Sequence, residues 1–408
     1  MNNPKLDSEE LRVKFEKLYD DSVDLLHRLT TPYGILASTI EADNYKRIWA
    51  RDSIVCGLAG LMIKDDLLIE GLKNSLILLA KTQHELGMIP SNVHPNDTKD
   101  KSFGSLAGRI DANTWFVIGA CRYYLETKDT KSWTLLKPAV EKCRTFLKMS
   151  EFNNKGWIYT PLSGNWADEY PVHGYTLYDN MLRLWGESLW EKITGETIPN
   201  FKEIKERTAV NFWPSSTASE AHIYHKDAFK QLDLEATEHF VAFILPGIYD
   251  QRFDAAGNAL ALLQYELDEH QKHEISNFIS KLTSELSRTL IPAFWPVINP
   301  QSPDWNLLKG NFSFSFKNNP GAFHNGGIWP IWMGLFCLGL SNNEMEKEVD
   351  QIIKSFMETV LENNDWDFQE FFDANTLEVG GKTQMGYTAS GIVFMRLALE
   401  RKSVFQDE

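Results

Sequence analysis

Arg51-Asp52-Ser53-Ile54-Val55-Cys56-Gly57-Leu58-Ala59-Gly60-Leu61-Met62-Ile63-Lys64-Asp65-Asp66-Leu67-Leu68 contains the unit that organises the chain. Apolar residues recur at helical spacing up to Lys64-Asp65, a tight turn intervenes, and a second apolar-periodic stretch begins at once. The spacing predicts helices over 52–64 and 66–84. Upstream, Asp7-Ser8-Glu9-Glu10 has the form of a helix cap, and Leu11, Phe15, Leu18, Val23, Leu25 and Leu26 supply an inner face as far as Thr31-Pro32. Downstream, helical stretches are expected at 111–127, 131–149, 174–194, 200–212, 238–249, 254–268, 270–289, 328–341, 343–362 and 386–400. Alternating Val/Ile/Thr runs of strand type are scarce. The fold class expected is therefore all-α.

The connections alternate in character. Tight turns such as Lys64-Asp65 and Lys128-Asp129 separate loops rich in Gly, Pro, Trp and Asn at 32–51, 85–110, 151–173, 290–327 and 363–385. Six helical hairpins in two concentric rings give this rhythm, with the long loops gathered at one end. Loops beyond about 12–15 residues with no structure of their own are usually functional. No repeat or linker divides the sequence, so one catalytic domain over 1–408 is expected, with 195–236, which contains Trp213-Pro214-Ser215-Ser216, as a possible insertion.

Of the 408 residues, 43% are hydrophobic and 24% charged, which suffices for a large core. No run of about 18 apolar residues suggests a membrane span. Met1-Asn2-Asn3-Pro4-Lys5-Leu6-Asp7 has no basic segment leading into an apolar one, so the expected address is cytoplasmic. Cys56, Cys121, Cys143 and Cys337 are far apart, without metal or redox spacing, and read as buried thiols. The net charge of -15 argues against nucleic acid and anionic membranes as partners. A neutral, polyhydroxylated small molecule suits it better. The 12% aromatic content, much of it in loops, agrees, because sugar rings present C–H faces that stack on such side chains. Homo-oligomerisation is left open by the sequence.

Five loop stretches carry candidate chemistry. Glu370 lies in Asp367-Phe368-Gln369-Glu370-Phe371-Phe372-Asp373, and Asp111 in Gly108-Arg109-Ile110-Asp111-Ala112-Asn113-Thr114-Trp115-Phe116. A pair of carboxyls in unlike surroundings can cleave a glycosidic bond, one protonating the leaving oxygen and the other directing water or attacking the sugar carbon. A lone Glu in a loop is ordinarily solvated, and an Asp at a helix start is most often a cap. Trp366, Phe368, Phe371 and Phe372 around Glu370, and Trp115 and Phe116 near Asp111, argue otherwise. Arg51 and Asp52 in Tyr45-Lys46-Arg47-Ile48-Trp49-Ala50-Arg51-Asp52 offer a donor fork and two acceptors for vicinal hydroxyls, although Asp52 could simply cap its helix. In Asn165-Trp166-Ala167-Asp168-Glu169-Tyr170-Pro171-Val172-His173-Gly174-Tyr175 the acids and His173 lack a metal-ligand spacing, so Trp166 and Tyr175 are expected as stacking faces and Asp168 as a hydroxyl acceptor. Phe323-His324-Asn325-Gly326-Gly327-Ile328-Trp329-Pro330 joins a turn to a helix start, where glycines let backbone approach a ligand.

Taken in order, these stretches resemble glycoside hydrolase family 100, the alkaline/neutral invertases, over about residues 33–400. The residues that carry the resemblance are Arg47-Ile48-Trp49-Ala50-Arg51-Asp52, Gly87-Met88-Ile89-Pro90, Arg109 to Phe116, Gly174-Tyr175, Asn325-Gly326-Gly327-Ile328-Trp329-Pro330 and Glu370-Phe371-Phe372-Asp373. The resemblance implies an (α/α)6 barrel that hydrolyses sucrose at the glucosyl C1–O bond with inversion, Asp111 acting as acid and Glu370 as base. It further implies that Arg51 and Asp52 hold the glucose and that His324, Trp329 and Gln384 line the pocket. Tyr45, Trp49, Arg109, Trp115, Trp166, Asp168, His173 and Tyr175 complete the candidate substrate-binding set. No cofactor or metal is expected. Asp111 should carry the raised pKa and Glu370 stay ionised.

The sequence departs from the family at Phe116, where a second Trp is usual, at Thr176 in place of a Pro, and at the loosely matched Lys382-Thr383-Gln384. These departures leave the leaving group open. An amylo-α-1,6-glucosidase-like or glucosylglycerate/mannosylglycerate hydrolase activity is the first alternative. A sugar 2-epimerase or isomerase, which needs facing histidines, and a non-catalytic sugar-binding protein are the others.

Overall fold

The computed structural model describes residues 9–41, 44–152 and 156–402. Its helices are α1 (Glu9–Leu29), α2 (Ala50–Ile63), α3 (Asp66–Thr82), α4 (Asp111–Thr127), α5 (Thr130–Met149), α6 (Leu177–Thr194), α7 (Phe201–Phe212), α8 (Lys226–Phe229), α9 (Ala255–Gln264), α10 (Glu269–Leu286), α11 (Trp305–Lys309), α12 (Pro330–Asn342), α13 (Glu346–Glu362) and α14 (Gly386–Leu399). Burial sorts them. Helices α2, α4, α6, α9, α12 and α14 are buried on nearly every side. By contrast α1, α3, α5, α7, α10 and α13 bury one face and expose the other, as helices on the outside of a core must.

The inner six close into a ring, with α2 packed on α4, then α4 on α6, α6 on α9, α9 on α12, α12 on α14, and α14 back on α2. Around it α3 backs α2, α5 backs α4, α13 backs α12 and α1 backs α14. Where α12 meets α14, backbone touches backbone, and a Cβ at Gly334 would lie 2.1 Å from the carbonyl oxygen of Gly391. Two rings of alternating helices are the expected (α/α)6 barrel.

The inner-to-outer turns are short, and two of them share one device. Lys64 adopts left-handed backbone (φ 58°) at the end of α2, and Asp65 then accepts the Leu68 N–H to start α3. Lys128 (φ 55°) and Asp129, capped onto Ser132 N–H, repeat this between α4 and α5. Every outer-to-inner connection is long, so all of them meet at the end of the barrel where the inner helices begin. Short strands brace them there: Ile48–Trp49 pairs with Asn92–His94, Phe253–Asp254 with Phe294–Trp295, and Phe371–Phe372 with Val379–Gly380.

One expectation needs correcting, and one lies out of reach. Residues 238–249 do not form a helix; Phe243–Leu245 and Ile248–Asp250 are an antiparallel hairpin that also pairs with Tyr175–Thr176. Pro246-Gly247 supplies the turn, and the β-branched and aromatic residues of 240–249 suit a strand. A sixth long connection, 213–254, therefore joins α7 to α9, and 195–236 contributes α7, which returns after α6, as well as α8. The cap expected at Asp7-Ser8 falls outside the described residues. No described helix is long and apolar enough to cross a membrane.

Candidate active site

Asp111 occupies the first turn of α4 and is 1% exposed. Ile110 holds the cap position, so the Asp111 carboxyl is free for other work. Its Oδ2 accepts the Arg51 guanidinium at 2.7 Å and the Tyr178 hydroxyl at 3.2 Å. The indole of Trp115, one turn further along α4, donates to that same hydroxyl at 2.8 Å. Trp115 thus lies behind the carboxyl and steadies Tyr178, itself at the start of α6.

Asp52, in the first turn of α2, is likewise buried and does not cap its helix; its Oδ2 lies 3.8 Å from Arg51 Nε. Burial raises its pKa, and the Arg51 charge opposes the rise.

Glu370 enters from the last long loop. The strand pairing of Phe371–Phe372 with Val379–Gly380 folds the loop back, and Lys382 N–H donates to Glu370 Oε2 at 3.0 Å. Tyr45 donates its hydroxyl to Oε1 at 2.9 Å. Gly381, at φ +83°, is crossed so closely that a Cβ there would lie 2.3 Å from Oε2. Burial pushes the Glu370 pKa up, while the Lys382 amide, the Tyr45 hydroxyl and the Lys317 charge hold it down. Glu370, expected to stay ionised, is thus a carboxyl that burial shifts upward. Arg51 meets Asp111, whereas Arg109, two residues away in sequence, donates to the Asn165 carbonyl at 2.8 Å and to Asp168.

An aromatic wall completes the site. Trp166 contacts His324, Trp329 and Trp332 at centroid distances of 5.1, 5.5 and 5.0 Å. Trp329 stacks on Phe371, and its indole donates to the Phe323 carbonyl at 3.0 Å. His324 is 2% exposed, and burial together with the Lys317, Arg109 and Arg51 charges lowers its pKa well below the usual range, so its ring is neutral.

Other expected residues have partners of their own. Gln384 accepts from Thr39, and the Trp49 indole donates to the Asn44 carbonyl at 2.9 Å. His173 packs on Phe243, and Tyr175 packs among Trp157, Tyr159 and Tyr224. Glu169 accepts from Ser313 N–H at 3.2 Å, and among the described residues no three His, Cys, Asp or Glu side chains group to hold a metal. The sequence reading missed Tyr178, Lys317, Trp332 and Tyr387, whose ring lies 5.6 Å from the Arg51 guanidinium carbon. Tyr178, Trp332 and Tyr387 all fall within apolar helix patterns, where they look like ordinary core.

The alkaline and neutral invertase family matches residues 218–400. The chain resembles the alkaline and neutral invertases. Alkaline/neutral invertase C, mitochondrial, of Arabidopsis thaliana is 23% identical over 170 residues, which are 40% of this chain and 24% of that relative. Neutral/alkaline invertase 3, chloroplastic, of Oryza sativa subsp. japonica is 29% identical over 97 residues, 23% of this chain and 15% of the relative. The matches thus span a quarter or less of these relatives' length. Among solved structures, the GH63 mannosylglycerate hydrolase of Thermus thermophilus, in complex with Tris and D-glycerate, superposes with a TM-score of 0.57 at 14% identity, over 92% of this chain and 99% of that one. Glucoamylase from Saccharomycopsis fibuligera gives 0.60 at 11% identity, over 98% of each. This chain and these glycosidases share a fold.

Proposed function

We propose that the protein is an inverting glycoside hydrolase that cleaves the glucosyl C1–O bond of a small α-glucoside, with sucrose as the first candidate. The observation that carries this reading is the pair Asp111 and Glu370, two buried carboxyls, one at the start of α4 and one in the last long loop, each held by its own tyrosine. Asp111 gives its proton to the leaving oxygen as the C1–O bond breaks. A water attacks C1 from the opposite face, and its proton passes to Glu370. Burial suits Glu370 to this role, since a carboxylate of raised pKa is a stronger base, and its Tyr45 and Lys382 donors still support the charged form. Arg51 and Asp52 hold sugar hydroxyls, and the Trp166–His324–Trp329 wall faces the ring. A cytoplasmic address stays part of the reading, although the curated relatives carry mitochondrial and chloroplastic names; cell fractionation tests it.

One observation favours a second assignment. The Arg51 guanidinium on Asp111 would suit a carboxylate that stays ionised, and Glu370, raised by burial, would then be the acid.

Time-resolved NMR of sucrose hydrolysis tests the main reading: β-glucose should appear first. Initial α-glucose would mean retention, and no turnover of sucrose or of the alternative glucosides would remove the hydrolase reading.

A further inference from the structure

Loop 310–329 carries Lys317 and is pinned on both sides of it. Asn318 is fully buried, donates to the Glu169 carbonyl at 2.9 Å, and accepts the His324 and Asn325 N–H groups at 3.0 and 3.1 Å. Asn311 accepts from Ser163 at 2.8 Å, and Ser313 N–H reaches Glu169. Lys317 is therefore a cation on a fixed support.

Its ammonium lies 4.9 Å from the centroid of Phe323. That ring stacks on His324 at 3.9 Å and lies 5.7 Å from Phe371, the residue after Glu370. The cations across the site are already matched: Arg51 by Asp111, Arg109 by Asp168 and Arg47 by Asp100. Lys317 has no carboxylate within 4.0 Å among the described residues. A second ammonium, that of Lys382, lies 5.7 Å from the Tyr45 ring on the other flank of Glu370.

A surface lysine usually needs no explanation. This one stands at an aromatic platform beside the base, in a chain of net charge -15, where a neutral disaccharide would leave its charge unused. We propose that Lys317 seats an anionic group, a carboxylate or a phosphate, on the leaving portion of the glucoside. The inference rests on the hydrolase reading above and narrows it, since sucrose then becomes a substitute for the true substrate.

The test compares matched pairs at low ionic strength: glucosylglycerate with glucosylglycerol, and sucrose 6-phosphate with sucrose. The wild-type enzyme should favour one charged member by about tenfold or more in kcat/KM, roughly the effect of one charge-assisted contact. Added salt should shrink that ratio, and Lys317→Met should bring it close to one. Whichever pair shows the effect identifies the anion. Equal kcat/KM within both wild-type pairs overturns the inference and leaves the hydrolase reading standing. So does a ratio that survives Lys317→Met while the acid limb of the pH profile moves, because Lys317 would then act only on Glu370. Calorimetric titration with D-glycerate and with inorganic phosphate separates the two readings without turnover. Binding that Lys317→Met abolishes supports the anion site even if no glucoside is cleaved, and no binding of either anion overturns it.

Discussion

Tyr45 and Glu370, 325 residues apart in sequence, meet through a 2.9 Å hydrogen bond from the phenol to Oε1. The donor stabilises the ionised carboxylate against a burial effect that raises its pKa. A catalytic base works ionised, so kcat/KM should rise with pH through the Glu370 pKa. Tyr45→Phe deletes a donor to the charged form and pushes that pKa further up. A hydrogen bond to a charged group is worth about 1.5–3 kcal/mol, so the acid limb should move to higher pH by about one to two units. A limb that stays in place would show that the phenol does not tune the base.

The acid and base roles separate by leaving group. Asp111→Asn should lower kcat on sucrose by orders of magnitude, yet α-glucosyl fluoride, whose leaving group needs no proton, should still be cleaved at a substantial fraction of the wild-type rate. Glu370→Gln should lose both substrates. The reverse pattern would assign the acid to Glu370, in line with the Arg51 contact to Asp111.

Helix boundaries were legible in the sequence because burial on one side or all round leaves a periodic trace. Hence 111–127 is matched to the residue and 346–362 within three residues. The hairpin at 243–250 was misread because seven apolar residues between Phe240 and Ile248 fit either period until pairing with Tyr175–Thr176 selects the strand. Asp111, Glu370, Arg51 and Asp52 stand out as charges in aromatic or glycine-rich company, and the structure buries the three carboxyls and pairs Arg51 with Asp111. Tyr178 and Tyr387 did not stand out, because a buried tyrosine in an apolar helix has the same pattern whether its hydroxyl meets a catalytic carboxyl or nothing. Ion-pair partners were equally hidden: nothing local to Arg109 says that Asp168 will claim it.

Gly381 lets the loop pass Glu370 in a backbone conformation that L side chains rarely adopt, with its Cβ position inside the carboxylate's contact distance. Gly381→Ala should therefore displace the base. We expect a fall in kcat of about ten- to a hundredfold, on the scale of a 1 Å misplacement, with an unchanged circular dichroism spectrum. Wild-type turnover would show that the loop absorbs the methyl group.

Arg183 is 2% exposed and donates to Glu151 at 2.7 Å, while Arg144 binds the neighbouring Glu187 at 2.8 Å; both pairs join α6 to the end of α5. Removing Arg183 leaves the buried Glu151 carboxylate one cation short, with the half-exposed Lys148 still on its other oxygen. Arg183→Met should cost about 3–5 kcal/mol in denaturant unfolding, while kcat at a permissive temperature remains near wild type because the network's ion pairs join α5 to α6 and involve neither Asp111 nor Glu370. A stability loss below about 1 kcal/mol would mean that water reaches Glu151.

Asp179, fully buried in the first turn of α6, has its pKa pushed up to about 8, by burial first and then by the charge of Asp111, against hydrogen bonds from Thr160 and Thr176. In the unfolded chain the same carboxyl titrates near 3.9. Between those values the native state holds a proton that the unfolded state has released, so this group's contribution to stability is fully present below about pH 4 and is lost as pH rises through about 8. The slope in that window is about 1.4 kcal/mol per pH unit. Asp179→Asn keeps an amide where the protonated acid sits and removes the titration. Its stability relative to wild type, read from urea unfolding at pH 5, 6, 7 and 8, should therefore improve steadily with pH. A difference that stays constant across the four values would show that Asp179 holds no extra proton in the folded protein.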